Sequence, residues 1–339
     1  MTLSHIDMPQ THATKAPVKN TRTRDVLILL GLFVMMLGGL IGLAASTGWD
    51  ETKEQLMKLS MGQVGLLLVL SLVNYGFRGM RWHVFATRLG LPTQYWQNQR
   101  HFIGGFAMSV TPGRVGELVR MRWLRRETGW SFERTAPLVL VDRASDLAAM
   151  AVILGVSISL STAGIAGAVP VAILSLMAAF VVTRPSLLAG MTTRAYKMTG
   201  WLPRLMARIR KAAKSLQAFS NPTVMSLAFV LGFIGWIAEG YAFHLLLVWM
   251  GADIGFWTAA AIFTFSTLAG GLTGAPGGVG GAEAAMVALL GLQGVPLETS
   301  VPATLIIRVT TLWFAIGLGL LVFPVAETRS KKAEYALEN

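Results

Sequence analysis

Long apolar runs set the first constraint on this chain. They extend for about 16 to 23 residues, enough to cross a hydrocarbon core of about 30 Å at about 1.5 Å per residue. Hydrophobic residues fill 53% of the 339 positions and charged residues 14%, below the roughly 25% charged of a soluble domain. A soluble enzyme is excluded, and an all-α, polytopic membrane protein is expected. The sequence has no cysteine, so disulfides, iron–sulfur clusters and thiol catalysis are out of reach. Its 5 histidines form no pair with metal-ligand spacing. No metal and no cofactor are expected.

The formal net charge of +12 would suggest nucleic acid for a soluble protein, but the positive charges are segregated. They cluster before residue 25, between Arg78 and Arg134, between Arg184 and Lys214, and after Pro324, leaving Lys53, Lys58, Arg143 and Arg308 outside the clusters. Basic loops that stay on the cytoplasmic side account for this pattern, and nucleic acid is not an expected partner. The chain then divides into a cytoplasmic tail (1–25), a membrane domain (26–323) and a cytoplasmic tail (324–339). About six full crossings are expected, at 26–45, 61–77, 136–160, 168–182, 224–250 and 301–323. The first is longer than a signal-peptide core and is read as uncleaved. Arg78, Arg81 and Trp82 are expected at the inner interface, where long basic side chains snorkel. The stretch 184–220 has no acidic residue and is expected in the cytoplasm, with an interfacial helix near 205–219.

Two stretches are apolar but too broken to cross. Residues 102–126 hold a short apolar run, then Thr111-Pro112-Gly113, then a basic segment. Residues 257–292 hold two apolar runs around a Gly-rich turn with Pro276. Each is expected to be a re-entrant hairpin, and non-helical backbone at membrane depth requires surrounding protein or a water-filled cavity.

The hairpins belong to an internal repeat, copy 1 over about 61–160 and copy 2 over about 223–323. At a constant offset of 161, Gly79, His83, Gly90, Trp96 and Phe102 match Gly240, His244, Gly251, Trp257 and Phe263. At an offset of 164, Pro112-Gly113-Arg114-Val115-Gly116 matches Pro276-Gly277-Gly278-Val279-Gly280, followed by Glu117 or Glu283. Arg143 follows its glutamate by 26 residues and Arg308 by 25. The first copy opens with an inward crossing and the second with an outward one, so the copies are expected to be inverted. Inverted repeats with broken helices place a site near the midplane that can open to either side.

Charge inside a membrane helix costs about 2.5 to 3.5 kcal/mol on insertion scales, so embedded charges face cavities or each other. Glu117 with Arg143 and Glu283 with Arg308 could simply pin each hairpin to its next span. The arginines could also receive an anionic head group, since guanidinium matches phosphate bidentately. Backbone N–H groups freed by Gly113, Gly277, Gly278 and Gly280 suit the same ligand, although a first-turn glutamate competes for them. Asp142 and Asp146, one turn apart, could couple a proton or cation to transport or bridge to Arg143. Glu239, opposite Arg78 in the repeat, stands open between cavity packing and proton relay.

At these residues the chain resembles the lysylphosphatidylglycerol synthase transmembrane, or flippase-like, family. The resemblance lies in Arg81-Trp82, in residues 112–117 followed by Asp142-Arg143, and in residues 276–283 followed by Arg308. It implies a lipid-handling domain with re-entrant helices lining cavities on both faces, in a bacterial inner membrane. The chain stops at Asn339 without an aminoacyl-transfer domain, so synthesis of lysyl-lipid, or any enzyme activity, is not expected of it. The expected function is movement of a polar or phosphate-bearing lipid or glycolipid between leaflets. The substrate-binding candidates are Pro112, Gly113, Arg114, Glu117, Arg143, Pro276, Gly277, Gly278, Gly280, Glu283 and Arg308. The alternatives are a noncatalytic partner of a lipid- or glycan-modifying enzyme and an intramembrane transferase. Membrane lipids are the expected partners, together with such an enzyme or further copies in a homo-oligomer.

Overall fold

The computed structural model describes residues 34, 53–54, 57–109, 115–160, 168–184, 186–187, 190–191, 193–194, 216–219, 221–273 and 276–338. Among them the secondary structure is helical throughout, without a strand. The first copy comprises α1 (Met61–Arg88), α2 (Tyr95–Gly105) with a 3-10 turn at Phe106–Met108, α3 (Val115–Thr128) and α4 (Phe132–Leu160). After α5 (Ala168–Thr183), the second copy comprises α6 (Pro222–Trp249), α7 (Phe256–Leu272), α8 (Gly281–Leu292), α9 (Leu297–Arg308) and α10 (Phe314–Glu338). A π-helical stretch, Val309–Trp313, joins α9 to α10.

Local chemistry sets where these helices begin. Ser60 caps α1: its hydroxyl accepts from the Gln63 N–H at 3.2 Å, while Gln63 Oε1 accepts from the Ser60 N–H at 2.7 Å. Asn221 caps α6, and Pro222 occupies its first turn, where a missing N–H costs nothing. Pro137 lies inside α4 and Pro302 inside α9. Each lies six residues before its arginine, Arg143 or Arg308, so the repeat extends into these helices.

The first helices of the two copies pack side by side and antiparallel. A Cβ on Gly235 would lie 3.4 Å from Asn74 Cα, and one on Gly232 would lie 2.6 Å from Arg81 Nη1. Advancing along α1 therefore means retreating along α6. The copies also exchange partners: α4 packs on α7, and α10 packs on α2 and α3. Trp123 of α3 meets Phe323 of α10 with ring centroids 5.3 Å apart. Beyond that contact, Glu327 accepts from the Trp123 indole at 2.8 Å and pairs with Arg122 and Arg126, each at 2.8 Å. Burial by itself would raise the Glu327 carboxyl, but the Trp123 and Arg126 hydrogen bonds and the flanking guanidinium charges hold it down at about 2.

The interior combines apolar clusters with buried polar and charged groups, while apolar side chains also face outward. α1 buries Ser71, Asn74, Arg78 and Arg81 and exposes Leu66, Val69 and Leu72. That inversion suits a chain whose solvent is hydrocarbon. By length and apolarity alone, two helices among the described residues could cross a bilayer, Pro222–Trp249 and the continuous Leu297–Leu337. The expected count of about six crossings rests on the sequence.

One expectation changes. Arg78, Arg81 and Trp82 do not sit at a water interface: α1 continues to Arg88, and all three side chains are buried. The reason is Asp142 and Asp146 on α4, which neutralise both guanidiniums inside the bundle. The segment after residue 324 is helical, since α10 continues through Pro324 to Glu338. Nearly all of the first crossing and most of 184–220, including 205–215 of the expected interfacial helix, lie outside the described residues; Leu216–Phe219 is a 3-10 helix.

Candidate functional site

A cavity of about 430 Å³ opens between the two copies. Its wall takes Glu117, Arg143 and Gly116 from the first copy and Gly277, Gly278 and Arg308 from the second. Glu239 of α6 joins them there. Residues far apart in sequence thus meet because each copy lends its last helix to the other copy's hairpin.

The second hairpin turns at an elbow that only glycine accommodates. Gly277, Gly278 and Gly280 have φ of 62°, 69° and 85°, in the left-handed region where a Cβ is strained. Pro276 opens the 3-10 turn Pro276–Gly278. Glu283 then folds back onto its own helix start, its Oε2 accepting from the Gly280 N–H at 2.7 Å. The glutamate therefore takes up the positive end of α8, which is not left for a ligand. Its other oxygen pairs with Arg308 Nε at 2.5 Å, and Arg308 Nη2 donates to the Gly277 carbonyl at 3.0 Å. Arg308 is thus tied to both sides of the elbow. In the first hairpin, Pro112, Gly113 and Arg114 lie outside the described residues.

Around Arg143 the charges form a lattice. Its Nε is 2.9 Å from Glu117 Oε1, Nη1 is 3.2 Å from Asp146 Oδ2, and Nη2 is 3.3 Å from Asp142 Oδ2. Arg81 binds Asp142 Oδ1 at 2.6 Å and Asp146 Oδ1 at 2.8 Å, and Arg78 binds Asp146 Oδ2 at 2.8 Å. The Trp236 indole donates to Asp146 Oδ1 at 3.0 Å. Asp142 and Asp146 are therefore held by three arginines and an indole, and both carboxylates sit behind the cavity wall. The expected pairs Glu117–Arg143 and Glu283–Arg308 both form.

The copies repeat one further contact in different chemistry. At the offset of 161, Tyr75 corresponds to Trp236, and at 165, Asp146 corresponds to Thr311. The Tyr75 hydroxyl donates to the Thr311 carbonyl just as Trp236 donates to Asp146. Sequence reasoning passed over Tyr75, Trp236, Arg78, Arg81 and Arg120 as site residues. A signal was present for two of them: Arg78 and Arg81, three apart, share a helix face that can meet the face carrying Asp142 and Asp146.

Antiparallel repeats, lipid-facing apolar sides and a charged interior define a multi-pass membrane protein. The sequence comparison agrees. Residues 26–319 match the family described as the lysylphosphatidylglycerol synthase TM region. The chain belongs to this family. It is also similar to a UPF0104 membrane protein of Methanothermobacter thermautotrophicus, 26% identical over 118 residues. That alignment covers 35% of this chain and 35% of the relative, so the chain spans about a third of that relative's length.

Proposed function

We propose that this protein moves a polar or phosphate-bearing lipid between leaflets without changing it chemically, with the head group in the central cavity and the tails in the bilayer. The observation that carries the reading is the single cavity to which both hairpins and both repeat arginines, Arg143 and Arg308, contribute. A cavity shared by two antiparallel copies can open toward either side as the two halves exchange arrangements. In this reading the hairpins are re-entrant and enter from opposite faces. The membrane is a bacterial inner membrane, with both termini in the cytoplasm. The family described as a lysylphosphatidylglycerol synthase TM region supports a lipid-handling role. Asp142 and Asp146 are committed to the lattice. Glu239 lines the cavity with no paired cation among the described residues, and it is the group that takes up a coupling proton or cation.

Reconstitution in liposomes with a fluorescent phosphatidylglycerol analogue tests this. Wild-type protein should make inner-leaflet analogue accessible to an external quencher, and Arg143→Ala and Arg308→Ala should abolish that movement while the purified proteins stay folded. Normal movement in both variants would refute the assignment.

A further inference from the structure

Four arginines reach the cavity wall: Arg78, Arg120, Arg143 and Arg308. Three are neutralised, Arg78 by Asp146, Arg143 by Glu117 and both aspartates, and Arg308 by Glu283. Arg120 differs. It is 3% exposed, no carboxylate of the described residues pairs with it, and its Nε and Nη1 make no hydrogen bond. Its guanidinium lies instead against three aromatic rings, 4.4 Å from the centroid of Phe102, 5.4 Å from Trp82 and 5.6 Å from Phe106. Gly105 makes room for it, since a Cβ there would come 2.2 Å from Arg120 Nε.

Aromatic faces attract a cation but offer its N–H groups no acceptor. A buried guanidinium with idle donors is costly unless something else supplies the acceptor and the charge. The repeat does not require it, because Met286, three residues after Glu283 as Arg120 is after Glu117, carries no charge. The aromatic platform encloses Nε and Nη1 and holds the plane of the guanidinium in place, so that a ligand meets its charge at the edge that lines the cavity.

We propose that Arg120 is the anion seat of the cavity and that the group it binds is a singly charged phosphodiester. This rests on the lipid-carrying reading and names the charge class of its substrate. With Glu239 carrying the coupling proton, Arg120 is the one guanidinium of this wall left without a countercharge among the described residues, and one negative charge balances it. A phosphomonoester, carrying about −1.5 to −2 near neutral pH, would leave excess negative charge beside Glu117 and Glu239 on the same wall.

The test is calorimetric titration of the purified full chain in neutral detergent with short-chain phosphatidylglycerol, with chain-free glycerophosphoglycerol, and with inorganic phosphate. Arg120→Gln should weaken phosphatidylglycerol binding by about tenfold or more, the loss expected for a charge-assisted hydrogen bond, and Arg308→Gln should weaken it less. Phosphatidylglycerol should bind more tightly than inorganic phosphate. Binding of the chain-free diester as tight as that of the lipid would make the diester itself the ligand; much tighter lipid binding would make it the head group. Wild-type affinity in Arg120→Gln, or preferred binding of inorganic phosphate, would overturn the proposal. If Arg120→Gln does not fold, Arg120→Lys and Phe102→Leu keep the charge while removing the fork or its platform. Each should weaken binding, and unchanged affinity in both would also overturn it. A wild type that binds no phosphodiester removes this inference, and the lipid-carrying reading then stands or falls on the liposome assay. Unimpaired binding and lipid movement in Arg120→Gln removes only the role of Arg120.

Discussion

The corner of the cavity around Arg143 and the corner around Arg308 share a backbone plan and differ in chemistry. Both follow a helix with a proline six residues before the arginine, and both arginines pair with the first-turn glutamate of their hairpin's second helix. Around Arg143, Asp142 and Asp146 draw in Arg78, Arg81 and Trp236, cross-linking α1, α4 and α6. Around Arg308 the aspartates are replaced by Ile307 and Thr311, Arg78 by Glu239, and Arg81 by Ala242. One ion pair and two carbonyl contacts remain, Arg308 to Gly277 and Tyr75 to Thr311, and the helix beyond Arg308 runs through a π-helical stretch. A dense buried lattice resists rearrangement because every member must keep its partners. The first corner is thus the anchor, and the second is where rearrangement disturbs the fewest contacts.

Mutations that attack the two corners in parallel sharpen this contrast. Arg81→Leu removes the fully buried guanidinium that bridges both aspartates and should destabilise the protein by about 3 to 5 kcal/mol, the cost of breaking a buried pair. Arg308→Leu should cost about 1 to 3 kcal/mol, because Glu283 keeps the Gly280 N–H as a donor. Denaturant unfolding in detergent reads both, and equal losses would remove the distinction between anchor and mobile corner. The matched pair Trp236→Phe and Tyr75→Phe tests the repeated contact. Trp236→Phe should cost about 1.5 to 3 kcal/mol, since its acceptor is charged, against about 0.5 to 1.5 for Tyr75→Phe at a carbonyl.

The smallest effect lies at the clasp between α3 and α10. Glu327 sits at about 2 in the folded protein against an ordinary 4.5, so it binds its proton more readily when unfolded. Its contribution to stability is complete above about 4.5, declines as the pH falls from there, and is gone below about 2. Glu327→Gln should therefore unfold more easily than wild type at pH 7, with the gap narrowing toward pH 3. A gap independent of pH would show that the carboxylate charge is not what holds the clasp.

The repeat and both glutamate–arginine pairs were legible in the sequence because like residues recur at nearly constant intervals, and covalent spacing along helices fixes which side chains can meet. Arg78, Arg81 and Arg120 were not. They lie in a basic stretch that charge bias assigns to water, and their burial depends on α4 and on aromatic rings brought close only by folding. Pro137 and Pro302 repeat at the same offset as Arg143 and Arg308, a regularity that hydropathy overlooks. The exchange of α4 and α10 between copies left no mark on the sequence, because apolar side chains would suit many neighbours and Glu327 lies far along the chain from Arg122, Trp123 and Arg126.

The opposed orientation of the two hairpins is open to one direct measurement. The chain has no native cysteine, so Pro92→Cys and Asp253→Cys, exposed and matched at the offset of 161, can be labelled singly by an impermeant thiol reagent. In vesicles of known sidedness, position 92 should react only from the cytoplasmic face and position 253 only from the opposite face. Reaction of both from one face would contradict a cavity shared between oppositely inserted copies.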